Sequence, residues 1–303
     1  MDYGVLETEK SSPVSADLDR MSTREAAALM NRMDAEIAAA VQAALPEIAE
    51  AADMAAASFR RGGRLIYAGA GTSGRLGVLD ASECVPTFGV SPDTVIGRIA
   101  GGDTALRYAV EGAEDDEALG AADMEALAVG TNDLVVAISA GGTAAYCLGA
   151  LRYARAHGAR TAGICCVKTP AFAADCDCLI TAVVGPEILT GSTRLRAGTA
   201  TKMILNMIST LSMVRTGKVY KNYMVDVVPT NKKLRDRAVR IVMGACALER
   251  EDAEQLLAAC GGEVKTAIVS RETGKDAGTA RAALAAAGGA VREAILKIKR
   301  ENA

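Results

Sequence analysis

The stretch from Arg64 to Gly74, RLIYAGAGTSG, constrains the fold more than any other feature of the 303-residue chain. A short, uninterrupted apolar run suits a strand covered on both faces, and a Gly-x-Gly-x-x-Gly turn directly after it suits the entry to a helix. The pattern recurs: residues 94–99, 134–139, 161–167 and 179–184 are further apolar runs. The run at 134–139 leads into the turn Ser139 to Thr143 (SAGGT) and a helical stretch over 143–157, and a longer helix is expected over 195–216. Strands alternating with helices predict an α/β domain, a doubly wound parallel sheet with helices on both faces.

The flanks read differently. Ser22 and Glu25 have capping-box spacing, and Leu29, Met33, Ile37 and Val41 follow at intervals of four, one face of a helix. Pro46 suits the first turn of a second helix carrying Ile48, Ala52, Ala55 and Phe59. After about Ala245 the chain is alanine-rich and helical, with Gly261–Gly262 and Gly288–Gly289 as breaks, a small bundle of three or so helices. The expected division is an N-terminal helical segment (1–60), an α/β domain (61–245) and a C-terminal helical bundle (246–303).

Composition removes several classes of function. A net charge of −3 with scattered Lys and Arg leaves no electrostatic footprint for nucleic acid, and 3% aromatic residues leave little material for base stacking. No apolar run approaches the ~20 residues of a membrane span. Residues 1–20 are polar and mixed in charge, unlike a signal or transit peptide, so a cytoplasmic location is expected. One histidine and a lone Cys176-x-Cys178 pair do not make a zinc site, and a single histidine in a polar stretch argues against a Ser-His-Asp mechanism.

The chemistry is expected at the glycine turns. Gly71, Thr72, Ser73 and Gly74 place backbone N–H groups and hydroxyls at a helix N-terminus, which suits a terminal monophosphate. A dinucleotide is the alternative, but the acidic residue it needs after the second strand is missing, where the chain reads Ile99-Ala100-Gly101-Gly102. A purely structural turn is the other alternative. Ser139 and Thr143 belong to the second turn, and in a doubly wound sheet two such turns meet at the carboxyl edge. In GPEILTGST (185–193), Glu187, Ser192 and Thr193 suggest a rim for sugar hydroxyls, or else an ordinary helix cap. Glu83, in the mostly apolar LDASECVPTFG, is a candidate acid or base, because apolar surroundings raise a carboxyl pKa. Glu114 stands in an acidic run, EGAEDD, where a solvated face is the common outcome.

Residues 64–89, 100–116, 183–210 and 224–242 together resemble the signature blocks of the N-acetylmuramic acid 6-phosphate etherases, and the likeness extends over nearly the whole chain. That resemblance implies a sugar isomerase (SIS) domain, flavodoxin-like, with a small C-terminal helical domain similar to ubiquitin-associated bundles, assembled as a homodimer. It implies a lyase that splits a D-lactyl ether during cell-wall murein recycling, with no metal or organic cofactor. It places the two catalytic glutamates on Glu83, as acid, and Glu114, as base. The family's second turn usually reads Ala-Ser-Gly-Arg-Thr-Pro-Tyr; counted back from Tyr146, its Ser, Arg, Thr and Pro are replaced by Gly141, Thr143, Ala144 and Ala145. Ser11-Ser12-Pro13 likewise stands where the family usually has Arg-Asn-Pro. A non-catalytic sugar-phosphate sensor and an aldose–ketose isomerase are the rival readings on the same fold.

Overall fold

The computed structural model describes residues 3–227 and 232–301; residues 228–231 of the matched block 224–242, and the first two residues of the polar N-terminus, lie outside them. The chain folds into two compact units, residues 1–82 with 92–209 and residues 83–91 with 210–303.

In the first unit, three single 3₁₀ turns (Tyr3–Val5, Pro13–Ser15, Leu18–Arg20) precede α1 (Thr23–Asp34), whose N-cap Ser22 and Glu25 form the reciprocal capping box. Next come α2 (Ile37–Ala43) and α3 (Leu45–Arg60), with Pro46 in the first turn of α3. Leu29, Met33, Ile37 and Val41 are all buried as their spacing requires, although the helix breaks between Asp34 and Ile37.

The sheet consists of β1 (Leu65–Gly69), β2 (Val95–Ile99), β3 (Leu134–Ile138), β4 (Arg160–Cys165) and β5 (Cys178–Thr181), all parallel, in the order β2-β1-β3-β4-β5. Every position of β1 and β3 is buried, so both faces of the central strands are covered. The connecting helices are α4 (Gly71–Phe88), α5 (Gly102–Arg107), α6 (Glu117–Ala126) and α7 (Ala145–Ala156), and α8 (Arg196–Arg215) follows β5. One sheet face, with Ile66, Ala68, Val135 and Ala137, packs with Tyr146, Cys147 and Leu151 of α7. Strand order reverses between β1 and β3, and their carboxyl ends diverge into separate turns, which opens a crevice there.

The second unit contains the hairpin β6 (Val219–Tyr220) and β7 (Tyr223–Met224), then α9 (Lys232–Cys246), α10 (Arg250–Ala259), α11 (Val264–Thr273), α12 (Ala277–Ala286) and α13 (Val291–Glu301). The division expected near residue 245 falls instead near 210. Helix α9 buries Ala238, Val242 and Ala245 in the same core as Ala267, Ile268 and Ala294, so it groups with the helices that follow it. Four helices, rather than three or so, follow α9 among the described residues. The break missed in the sequence is the single Gly274, whose φ of 68° ends α11 in a left-handed cap.

Among the described residues, no helix is long and apolar enough to cross a membrane. All eight cysteines are free thiols and seven are buried; burial pushes Cys147 up to about 12, which leaves it protonated and unreactive near neutrality.

Candidate active site

A cleft of about 300 Å³ lies at the carboxyl edge of the sheet in the first unit. Its floor is the end of β1 and the first turn of α4, and one wall is the end of β3 with the turn that follows. The start of α8 supplies Gly198 and Thr201.

Three features of the α4 entry are those that an anion site needs. Gly71 takes φ 51°, a left-handed value that turns the chain from strand to helix. The first N–H groups of α4 have no partner within the helix, and Gly71, Thr72 and Ser73 line the cleft. Gly74 is buried beneath them and acts by its lack of a side chain. A Cβ there would lie 2.5 Å from the Gly69 carbonyl oxygen and 2.6 Å from Ile99 Cγ1. Gly74→Ala is therefore expected to push α4 off β1, costing about 1–3 kcal/mol of stability. Inorganic phosphate affinity should fall at least tenfold; calorimetry showing undiminished binding would remove the steric account.

The second turn keeps its place in spite of its altered sequence: Ser139, Ala140, Gly141 and Thr143 all line the cleft. Of the 185–193 segment, only Thr193 does. Glu187 is the correction here. It is wholly enclosed, and its carboxylate oxygens accept from the N–H groups of Arg196 (2.8 Å) and Ala197 (2.9 Å) at the start of α8. Both oxygens cap the helix, and the fully enclosed carboxylate is not among the cleft-lining residues. Ser192 is half-buried in the turn before α8, with its N–H donated to the Leu189 carbonyl, and is not among the cleft-lining residues.

Glu114 is exposed, as its acidic run suggests, yet it also faces the cleft. It sits in a short 3₁₀ turn (Ala113–Asp115) and lines the cleft. Loss of water around its carboxyl, and then the neighbouring Asp115 charge, hold it above the ordinary glutamate value. Its approach is organised by Arg75 on α4, two residues after Ser73. Arg75 Nε donates to the Leu106 carbonyl (3.0 Å) and Nη2 to the Ala105 carbonyl (2.7 Å). The guanidinium thereby caps the last turn of α5, from which the chain returns through Gly112 (φ 76°) to Glu114. The first turns of α4 and the end of α5, which leads to Glu114, are thus tied together by one side chain.

Glu83 lies further along α4, in the part that belongs to the second unit, and its side chain is exposed. The apolar enclosure expected from LDASECVPTFG is absent: Cys84 and Phe88 turn inward, while Glu83 faces out. Glu83 is not among the residues lining the cleft. Two lining residues that sequence reasoning missed are Leu6 and Glu9, from an N-terminal segment with no periodic signal.

The sequence matches the glucokinase regulatory protein N-terminal SIS domain over residues 47–155 and the SIS domain over residues 109–211. Among solved structures, the fold is similar to a Bacteroides fragilis protein described as a phosphosugar isomerase involved in capsule formation, with a TM-score of 0.50, 17% identity, and 64% of this chain and 92% of that chain covered. Curated relatives are much nearer. The N-acetylmuramic acid 6-phosphate etherase of Salmonella agona is 52% identical over 97% of this chain and 99% of its own length. That of Serratia proteamaculans is 52% identical over 98% of this chain and 100% of its own length. Half of all positions shared from one end to the other, on an SIS fold, places the chain in a single family: it belongs to the N-acetylmuramic acid 6-phosphate etherases.

Proposed function

We infer that this protein is a carbon–oxygen lyase that converts N-acetylmuramic acid 6-phosphate and water to N-acetylglucosamine 6-phosphate and D-lactate. The observation that carries the reading is a carboxylate, Glu114, in the same cleft as a phosphate-type helix entry. The full-length relatedness to etherases supports it.

The Thr72–Ser73 turn holds the 6-phosphate through N–H groups and hydroxyls. In the open-chain sugar the C1 aldehyde acidifies the C2 proton. Glu114 removes that proton, and Glu83 protonates the lactyl oxygen as the C3–O bond breaks. The product of this step is an α,β-unsaturated aldehyde, and water adds at C3 to complete the exchange. One carboxyl must start ionised and the other protonated, which calls for two different surroundings. Glu83 is exposed on α4, the helix whose first turn lines the cleft, and the protein acts as a homodimer. The enzyme works in the cytoplasm, in murein recycling, on a small-molecule sugar phosphate, without nucleic acid or membrane.

The test is D-lactate release from N-acetylmuramic acid 6-phosphate by the purified protein, with EDTA present and no cofactor added. Stoichiometric release supports the reading. Tight binding without lactate would replace it by a sensor, and a ketose product without lactate by an isomerase.

A further inference from the structure

The N-terminal segment reaches the cleft at two anchored points. Leu6 is buried, and its Cδ1 lies 3.6 Å from where a Cβ on Gly141 would stand. Thr8 is wholly buried, with its hydroxyl 3.9 Å from the same position and no hydrogen-bond partner among the described residues. The Glu9 N–H donates to the Leu6 carbonyl (3.0 Å), closing a tight turn, and the Glu9 side chain lines the cleft. There Oε2 comes within 3.2 Å of where a Cβ on Gly191 would stand, two residues before Thr193. The segment therefore spans from the second turn to the entry of α8.

Charge decides what Glu9 can meet. Among the described residues lining the cleft, the charged ones are Glu9 and Glu114, and none is Lys or Arg. A carboxylate repels a phosphate and a lactyl carboxylate alike, so it is matched only by neutral N–H or O–H donors. Glu114 is taken up by the reaction at C2, which leaves Glu9 as the other strong acceptor.

We propose that Glu9 is a specificity-determining residue: its carboxylate accepts hydrogen bonds from neutral donors of the sugar and keeps the anionic groups of the ligand away from the Gly191 end of the cleft. This fixes which way round a phosphorylated sugar lies, with its phosphate at Thr72–Ser73. The inference rests on the etherase reading for the identity of the full substrate.

The test is calorimetric binding of three probes, inorganic phosphate, glucose 6-phosphate and N-acetylglucosamine 6-phosphate, to the wild-type protein, Glu9→Ala and Glu9→Gln. For Glu9→Ala, N-acetylglucosamine 6-phosphate affinity should fall about 10- to 100-fold, the usual loss for a hydrogen bond to a charged group, with inorganic phosphate held as well as before or better. An equal fall for glucose 6-phosphate identifies a hydroxyl donor, and no fall identifies the acetamido N–H. Glu9→Gln, which keeps a carbonyl acceptor, should recover part of the loss. Unchanged affinity for both sugar phosphates, or an equal loss for inorganic phosphate, overturns the proposal. Lactate release by the wild type is scored separately: a chain that releases none yet shows this binding pattern loses the etherase reading and keeps the role of Glu9. Full release with unaltered Glu9→Ala binding does the reverse.

Discussion

Glu114→Gln is expected to lose both D-lactate release and solvent deuterium exchange at C2 by about 100- to 10,000-fold, the range over which a positioned general base contributes. Both signals depend on the same proton, so they should fall together. Glu83→Ala should behave differently: release is lost, while C2 exchange persists, because the proton can leave and return even when the ether oxygen is never protonated. Full lactate release by either variant would end this assignment of roles. The pH profile gives a second readout. Dehydration and Asp115 raise the Glu114 carboxyl above its ordinary value, and the base must be ionised to act. The acid limb of kcat/KM should therefore lie above the ~4.3 of a free glutamate and be absent in the residual activity of Glu114→Gln. A raised carboxyl pKa favours folding only while the group is protonated, and that contribution is lost as pH rises through the folded-state value. Glu114→Gln should accordingly keep or gain thermal stability near neutrality while it loses activity, the trade expected of a site residue.

Lys202→Met should be the most costly change to the scaffold of the cleft. Asp80 of α4 is 4% exposed; its carboxylate accepts from the Tyr67 hydroxyl (3.2 Å) and from Lys202 Nζ of α8 (3.3 Å). Burial raises the Asp80 pKa, and Lys202 is the first of the groups that pull it back. Removing Lys202 leaves a buried charge without its main partner, a loss of about 2 kcal/mol after discounting for the access of the lysine to water. The loss should be pH-dependent in a definite direction. With its folded pKa raised further in the variant, Asp80 favours folding below the unfolded value and ceases to do so as pH rises through the folded one. Urea unfolding should show a small penalty at pH 4 and a larger one at pH 8, with Asp80→Asn added to Lys202→Met recovering most of it. An equal penalty at both pH values would mean that packing of the lysine stem, and not charge, holds α4 to α8. Thr201, next to Lys202, lines the cleft, so a loosened pair should also weaken phosphate binding.

The sheet was legible because buried parallel strands are short apolar runs and because glycine turns mark their carboxyl ends; all five strands lie within a few residues of where the runs placed them. The glycine turn into α4 was legible for the same reason, since Gly71 and Gly74 answer to backbone geometry and close packing that follow from the fold. Three things were not. Glu187 looked like a ligand because a polar group before a helix is written alike whether it caps or binds; only the geometry of both oxygens separates the two. Glu83 looked enclosed because helix neighbours in sequence point in different directions, and Cys84 and Phe88 take the inward ones. Leu6 and Glu9 left no periodic trace, because a segment of single turns obtains its placement from tertiary packing alone.

The second turn departs at four positions from the pattern that the family resemblance leads one to expect, and Ser139, Ala140, Gly141 and Thr143 still line the cleft. An anion gripped by peptide groups and a helix terminus is gripped by atoms that all amino acids share. Such a site can drift a long way in its letters while keeping its shape, so a tally of matching side chains is a poor measure of whether the shape persists.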